Sequence, residues 1–291
     1  MPRHRDLTAR DLSQRDVTAI EVVGDVLEPF RVETGCIGVD FHVQDIPSWF
    51  RRPQTPISSQ NVDLTEALRS TGAVREYVAE PVTDEVVERI LDTARFAPSG
   101  GNRQGWRVIV VKDADIRRRL REIYLDGWYQ YLAQSAAGLI PWAPVTDRDA
   151  EAAAVRHADE MRADAAAGPG GFAEHFDEVP VLLIVLADQR YLAAVDRDLD
   201  RYTMAGGASI YPFAWSILLA AREQGIGGVM TTMVIRSEPE VKALLSIPDE
   251  IAIAAAVALG RVVRFPRKLT RSPVATFTSV DRYGGEPFGS S

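Results

Sequence analysis

The chain has little of what metal, disulfide and nucleic-acid proteins depend on. Only one of its 291 residues is cysteine, Cys36, so an intramolecular disulfide is impossible and a cysteine-based metal site is disfavoured. The four histidines, His4, His42, His157 and His175, are scattered without ligand spacing. A formal net charge of −8, with no Lys/Arg run to offset it, argues against a nucleic-acid partner. Arg117-Arg118-Arg119 is short and sits in an amphipathic helical pattern, where a solvated face is its ordinary meaning. Long apolar runs are missing too: none reaches the ~18 residues that a membrane-spanning helix needs, and the N-terminus lacks the apolar stretch of a secretory signal. The expectation from these absences is a cytoplasmic protein with no membrane partner. There is also no strand–GxGxxG–helix unit, because Gly225-Ile226-Gly227-Gly228 ends a helix rather than starting one. A nicotinamide would therefore have to visit a site rather than occupy a Rossmann domain. What remains is 46% hydrophobic and 25% charged, enough for a full core in one large domain or two small ones.

One stretch organises the rest: Ala97-Pro98-Ser99-Gly100-Gly101-Asn102-Arg103-Gln104-Gly105-Trp106. The preceding helix stops at Phe96-Ala97, because the residue before Pro98 is pushed out of the helical region. Ser99-Gly100-Gly101 lets the backbone approach something flat or anionic without interference from a Cβ. Asn102 and Gln104 then present amides, each with donors and an acceptor, which suits the polar edge of a flavin. The same spacing is also that of a plain polar turn between a helix and the strand Trp106–Val111.

Ala97 to Trp106 resembles the APSxxNxQPW signature of the FMN-dependent nitroreductase family. Upstream, Ala73-Val74-Arg75-Glu76-Tyr77 followed by Glu80-Pro81-Val82 is similar to that family's opening RRSxRxF…PV segment. The match runs to Tyr283, about three quarters of the chain. It implies an α+β, nitroreductase-like three-layer α/β/α sandwich: a mixed, mainly antiparallel sheet, a long central helix, and a domain-swapped homodimer with FMN at the subunit interface. Residues 62–291 would form the FMN-binding domain, with a variable substrate-covering insertion at 125–178 and a C-terminal arm at 261–291. Residues 1–61 would be an extension outside the match, partly a flexible arm.

The elements follow from periodicity and caps. Asp63 caps a helix that ends near Thr71-Gly72, with Glu66 at the capping-box position. Further helices are expected over Glu85–Arg95, Asp115–Tyr124, Asp149–Ala167, Ser209–Gln224 and Glu238–Leu245. Val179–Asp188 is a near-continuous apolar run, the pattern of a strand buried on both faces. Val229–Met233 and Ile251–Leu259 are the remaining strands, and Phe265–Tyr283 is an extended tail.

The resemblance also assigns a chemistry. A flavin that accepts a hydride at N5 gathers negative charge at N1 and C2=O, which a nearby cation stabilises; Arg75 holds that position in the family motif. Pro98, Ser99, Gly100, Asn102 and Gln104 would contact the ring and ribityl chain. Met230, Thr231 and Thr232 match the segment that approaches N5. Lys268 and Arg271 match the phosphate clamp, although such a cluster by itself would read as a solvated tail. Thr71, Gly72 and Ala73 stand where the family carries Arg-Arg-Ser, so phosphate contacts are lost or come from elsewhere. Gly105 replaces the Pro of QPW and should loosen that turn. Trp128, Phe172, His175 and Tyr211 are candidate substrate contacts, or ordinary core and interface residues. The implied activity is ping-pong reduction of a nitroaromatic or quinone-type acceptor by NADH or NADPH. Other flavin chemistry on the same scaffold (dehalogenation, flavin fragmentation, substrate dehydrogenation) and non-enzymatic FMN sequestration are the alternatives.

Overall fold

The computed structural model describes residues 62–266 and 269–289. The extension 1–61 and Lys268 lie outside the described residues. Four strands form one sheet in the order β1-β2-β4-β3, where β1 is Trp106–Val111, β2 Val181–Asp188, β3 Ile226–Thr231 and β4 Ile251–Arg261. Every pairing among them is antiparallel, so the mixed sheet expected from the resemblance is not what the described residues form. β2 is buried at all eight positions, as its unbroken apolar run requires. Two separate cores follow from the alternation of side chains along the strands. Leu182, Ile184 and Leu186 face helices α3 (Ala114–Ala136) and α7 (Glu238–Leu245). Leu183 and Val185 face α2 (Asp84–Ala94) and α6 (Tyr211–Glu223). The result is a three-layer α/β/α sandwich.

Local chemistry sets the element ends. Asp63 caps α1 (Leu64–Ser70), its carboxylate accepting from the N–H groups of Thr65 and Glu66 at 2.9 and 3.2 Å. Asp113 caps α3 in the same way. The helix expected over Glu238–Leu245 has those bounds.

Three expectations are corrected. The helix expected to stop at Tyr124 continues to Ala136, because Gly127 is held inside it by packing. A Cβ there would lie 2.9 Å from the Met233 sulfur, so the glycine lets α3 press on the Met233–Ser237 turn. The helix expected over Asp149–Ala167 is two helices, α4 (Arg148–Val155) and α5 (Ala158–Ala166), with a break at Arg156-His157 that neither Gly nor Pro announces. And β3 begins at Ile226 and ends at Thr231, earlier at both ends than Val229–Met233. Gly225 alone, at φ +70°, is the left-handed cap of α6. Gly228 lies inside the strand because a Cβ would meet the Ala258 carbonyl oxygen at 2.3 Å.

Tyr77 pins the segment 73–78 to the sheet. Its hydroxyl donates to the Val74 carbonyl at 2.8 Å and the Ala258 carbonyl at 3.3 Å, and it pairs with Val262 in an isolated antiparallel bridge. Burial pushes this phenol far above its ordinary value, with the nearby Arg75 charge pulling it partly back. A raised folded-state pKa means the stabilisation is complete below the unfolded value of about 10 and is lost as pH rises above it. Tyr77→Phe should therefore flatten the fall of the urea midpoint above about pH 10, while costing about 1 kcal/mol at neutral pH. An unchanged alkaline slope would contradict this.

Candidate active site

The first group of site residues gathers where β3 ends. Val74 N–H donates to the Gly228 carbonyl at 2.9 Å, which lays the 73–77 segment beside β3. Arg75 is exposed, and among the described residues its guanidinium makes no ion pair or hydrogen bond. Its charge acts on Tyr124 of α3, whose hydroxyl lies 3.2 Å from the Thr231 hydroxyl. Burial raises the Tyr124 phenol above its ordinary value, while the Thr231 bond and Arg75 lower it. The phenol therefore stays protonated at neutral pH and can orient Thr231. Thr232 is exposed and starts the Met233–Ser237 turn, its carbonyl accepting from Ile235 N–H at 3.0 Å. Met230 points to the opposite face, packed against the α2/α6 core.

Thr71 and Gly72 sit close by, after α1. The Thr71 hydroxyl is buried and has no hydrogen-bond partner among the described residues, an unusual cost in a folded interior. Gly72 is covered: a Cβ there would meet Leu269 at 2.8 Å and Pro266 at 3.2 Å. This gives a physical reason for the missing arginine, since a side chain would displace the C-terminal arm. Ala73 is exposed. Arg222 of α6 stands against Ser70 at 3.4 Å and its guanidinium covers the Phe265 ring. Arg271 is exposed and, among the described residues, bonds only the Thr270 carbonyl, at 2.6 Å.

The second group is the loop before β1. Gly101, Asn102 and Gln104 have φ values of +60°, +53° and +51°. Left-handed backbone at non-glycine residues carries strain of about 1–3 kcal/mol each and persists where surrounding bonds fix it. Here Ser99 Oγ accepts from Gln104 N–H at 3.0 Å, and Gly100 N–H donates to Ser209 Oγ at 3.0 Å. Asn102 and Gln104 are exposed and their amides pair with each other at 3.2 Å. Pro98 precedes them and is exposed. Gly105 tightens the turn rather than loosening it: its carbonyl accepts from Asp188 N–H at 2.7 Å, and a Cβ would meet Tyr191 at 3.1 Å. Asp188, buried at the end of β2, is clasped by Arg190 at 2.7 Å, which holds its carboxyl below the ordinary range. Trp106 stacks on Phe213 of α6, with centroids 4.7 Å apart.

The candidate substrate residues divide between these places. Trp128 and Phe172 lie on the Arg75 side, where Phe172 meets Tyr124 edge-on at 6.3 Å. Tyr211 lies on the loop side, with its hydroxyl 3.3 Å from the Ala254 carbonyl. His175 is engaged in its own turn, Nε2 with the Pro169 carbonyl at 2.9 Å and Nδ1 with Glu178 at 3.2 Å. Tyr124 and Ser209, which join the two groups to the scaffold, carry no motif. Only the aromatic spacing 124, 128, 131 could have singled out the former.

The two groups are on opposite edges of the sheet. Trp106 is level with Ala187 and hence Ala252, whereas Thr231 pairs with Ala256. Three strand spacings across and four residues along put the groups about 20 Å apart in one chain.

The nitroreductase family model matches residues 68–261, more than half of the chain. The chain belongs to the nitroreductase family, and its α/β/α sandwich is a nitroreductase-like fold. It is 30% identical over 200 residues to an NADH dehydrogenase of Thermus thermophilus, covering 68% of this chain and 86% of that protein. It is 27% identical over 209 residues to iodotyrosine deiodinase 1 of Mus musculus, covering 71% of this chain but 65% of the deiodinase, just under two thirds of its length. Among solved structures, a nitroreductase-like family protein from Bacillus cereus superposes with a TM-score of 0.53 at 15% identity, over 77% of this chain and 98% of that one. The NADPH:FMN oxidoreductase of Vibrio harveyi, solved with NAD+, gives 0.51 at 19% identity, over 75% and 77%. No described helix is long and apolar enough to cross a membrane.

Proposed function

We propose that this protein is an FMN-dependent oxidoreductase, a homodimer that uses NADH or NADPH to reduce a nitroaromatic or quinone-type acceptor. The observation that carries the reading is the Arg75 guanidinium, unpaired among the described residues, beside the Tyr124–Thr231 pair. FMN, when bound, supplies hydride transfer at N5 with negative charge developing on its pyrimidine edge. Arg75 would present a fixed cation to that edge, which favours the reduced state. Thr231, held by Tyr124, would offer a hydroxyl and a backbone group near N5. The residues present fit the cofactor's phosphate: the buried Thr71 hydroxyl lacks a partner, and Arg271 has no carboxylate against it among the described residues. Lys268 would complete that clamp. No side chain is required as a nucleophile, and solvent can deliver the proton.

Two groups about 20 Å apart cannot both touch one ring in one chain. The reading therefore takes the Ser99–Gln104 loop from the partner subunit, where Gly100 and Gly101 let the backbone close on the ring and Asn102 and Gln104 exchange their mutual bond for cofactor atoms. The similarity to iodotyrosine deiodinases favours a second reading, reductive dehalogenation of an aromatic substrate on the same scaffold. Steady-state NADH and NADPH oxidation with nitrofurazone, menadione or an iodinated tyrosine separates the two. Turnover with the first pair supports the nitro/quinone reductase. Halide release with no nitrofurazone turnover would replace it with the dehalogenase.

A further inference from the structure

One face of α3, buried in the core at Tyr124 and exposed by Tyr131, carries a feature that the reading above uses only at its Tyr124 end. Tyr124, Trp128 and Tyr131 are spaced i, i+4, i+7, so they share one helix face. With a rise of about 1.5 Å per residue, the stripe extends about 10 Å from Tyr124, whose hydroxyl meets Thr231 at 3.2 Å. Trp128 and Tyr131 stack in parallel with centroids 5.3 Å apart, and Trp142 leans on Tyr131 at 6.2 Å. The Arg236 guanidinium lies 4.7 Å over the Trp142 ring. Arg236 is exposed and, among the described residues, has no carboxylate or hydrogen-bond partner. The acidic groups on the same helix are already engaged: Asp126 with Arg162 at 2.6 Å and Glu122 with Arg119 at 2.8 Å.

This arrangement is built rather than incidental. Trp142 sits at φ +53°, a conformation that a bulky residue adopts only when its surroundings impose it. The fully buried Gln134 imposes it, its Oε1 accepting from Trp142 N–H at 3.0 Å and its Nε2 donating to the Gln130 carbonyl at 3.4 Å. Arg236 is fixed at its stem, where a Cβ on Gly127 would lie 3.4 Å from its Cγ. A strained, buttressed tryptophan thus orients a free guanidinium at the far end of an aromatic stripe that starts at Thr231.

We propose that this stripe is an acceptor site selective for aromatic carboxylates, in which Tyr131 and Trp142 stack on the ring system and Arg236 binds the carboxylate. Guanidinium on an aromatic face is a geometry suited to planar anions. The proposal rests on the oxidoreductase reading, which makes the Thr231 end the reacting end.

The test uses the full chain loaded with FMN and two probes of equal shape, 4-nitrobenzoate and the uncharged 4-nitrobenzamide. Binding is read from quenching of tryptophan fluorescence without nicotinamide. Wild type should prefer the carboxylate. Arg236→Gln should raise its Kd about tenfold, the loss of one charge-assisted bond, and leave the amide unchanged; Arg236→Lys should recover part of the difference. Flavin absorbance and Tm serve as controls for loss of the packing that Arg236 makes on Trp142. Equal affinity of wild type for both probes, or equal loss for both in Arg236→Gln, would overturn the proposal and reduce the stripe to packing. Turnover separates the two claims. If both probes are reduced by NAD(P)H without carboxylate preference, the selectivity fails alone; if the preference is present but neither probe is reduced, the reductase reading fails alone.

Discussion

Replacing Arg75 by Gln should slow reduction of the bound flavin by NAD(P)H about 10²–10³-fold, the scale seen when a fixed charge-stabilising group is removed from an active site. No hydrogen bond or ion pair among the described residues depends on this side chain. The segment that carries it is held by backbone bonds from Val74 to Gly228 and from Val78 to Arg261, both 2.9 Å, and by the buried Tyr77. Unfolding midpoints should accordingly match those of the wild type, so a rate loss would report electrostatics alone. Arg75→Lys should retain much of the rate, because it keeps the charge and loses only the planar fork. The flavin midpoint potential should fall in Arg75→Gln, and the Tyr124 phenol, relieved of a neighbouring cation, should titrate higher still. Rapid-mixing absorbance measures the rate directly. An Arg75→Gln protein that is reduced as fast as the wild type would remove Arg75 from the site.

The second large effect concerns how a site is assembled from groups about 20 Å apart. Gly101→Val places a β-branched residue at φ +60°, where it is strongly disfavoured, and should distort the loop that the proposal brings to the ring. Arg75→Gln and Gly101→Val should each be nearly inactive. Co-refolded in equal amounts, they would, in the proposed homodimer, form mixed dimers as half of the population. Each mixed dimer then holds one site with both defects and one with none, so activity should return to about a quarter of wild type. Absence of recovery, in a mixture shown to exchange subunits, would mean that both groups act within one chain or that the loop is not part of the site.

Much of this architecture is legible in the sequence where local chemistry and burial agree. β2 could be read from its uninterrupted apolar run, α1 from the Asp63 cap, and α7 to the residue from its periodicity. Legibility fails where tertiary contact overrides local pattern. Gly127 reads as a helix breaker, yet it is the contact that lets α3 reach Ala136 against Met233. The Ala-rich stretch after Asp149 has uniform propensity, so nothing local marks the break at His157. In Gly225-Ile226-Gly227-Gly228 one residue is a cap and the rest are strand, a division made by crowding against Ala258 that spacing cannot reveal.

The site shows the same division. Arg75, Thr231 and the Ser99–Gln104 loop are visible because the motif spacing is local to each block. Their distribution over opposite edges of the sheet is not visible, because it depends on the strand order β1-β2-β4-β3. Gly72 and Gly105 appear in sequence as losses of an arginine and a proline. In the fold each is the close approach of another segment, Leu269 in one case and Tyr191 in the other. Tyr124, Trp142 and Arg236 belong to no motif, and only the fold sets Tyr124 against Thr231 and lays Arg236 over the Trp142 ring.

The most direct test of the central claim is an anaerobic titration of the FMN-loaded protein with NADH and with NADPH, followed by absorbance. The account predicts that at least one nicotinamide bleaches the flavin and that nitrofurazone or menadione restores its colour. Flavin that stays oxidised with both donors would contradict it, leaving a protein that holds FMN without using it.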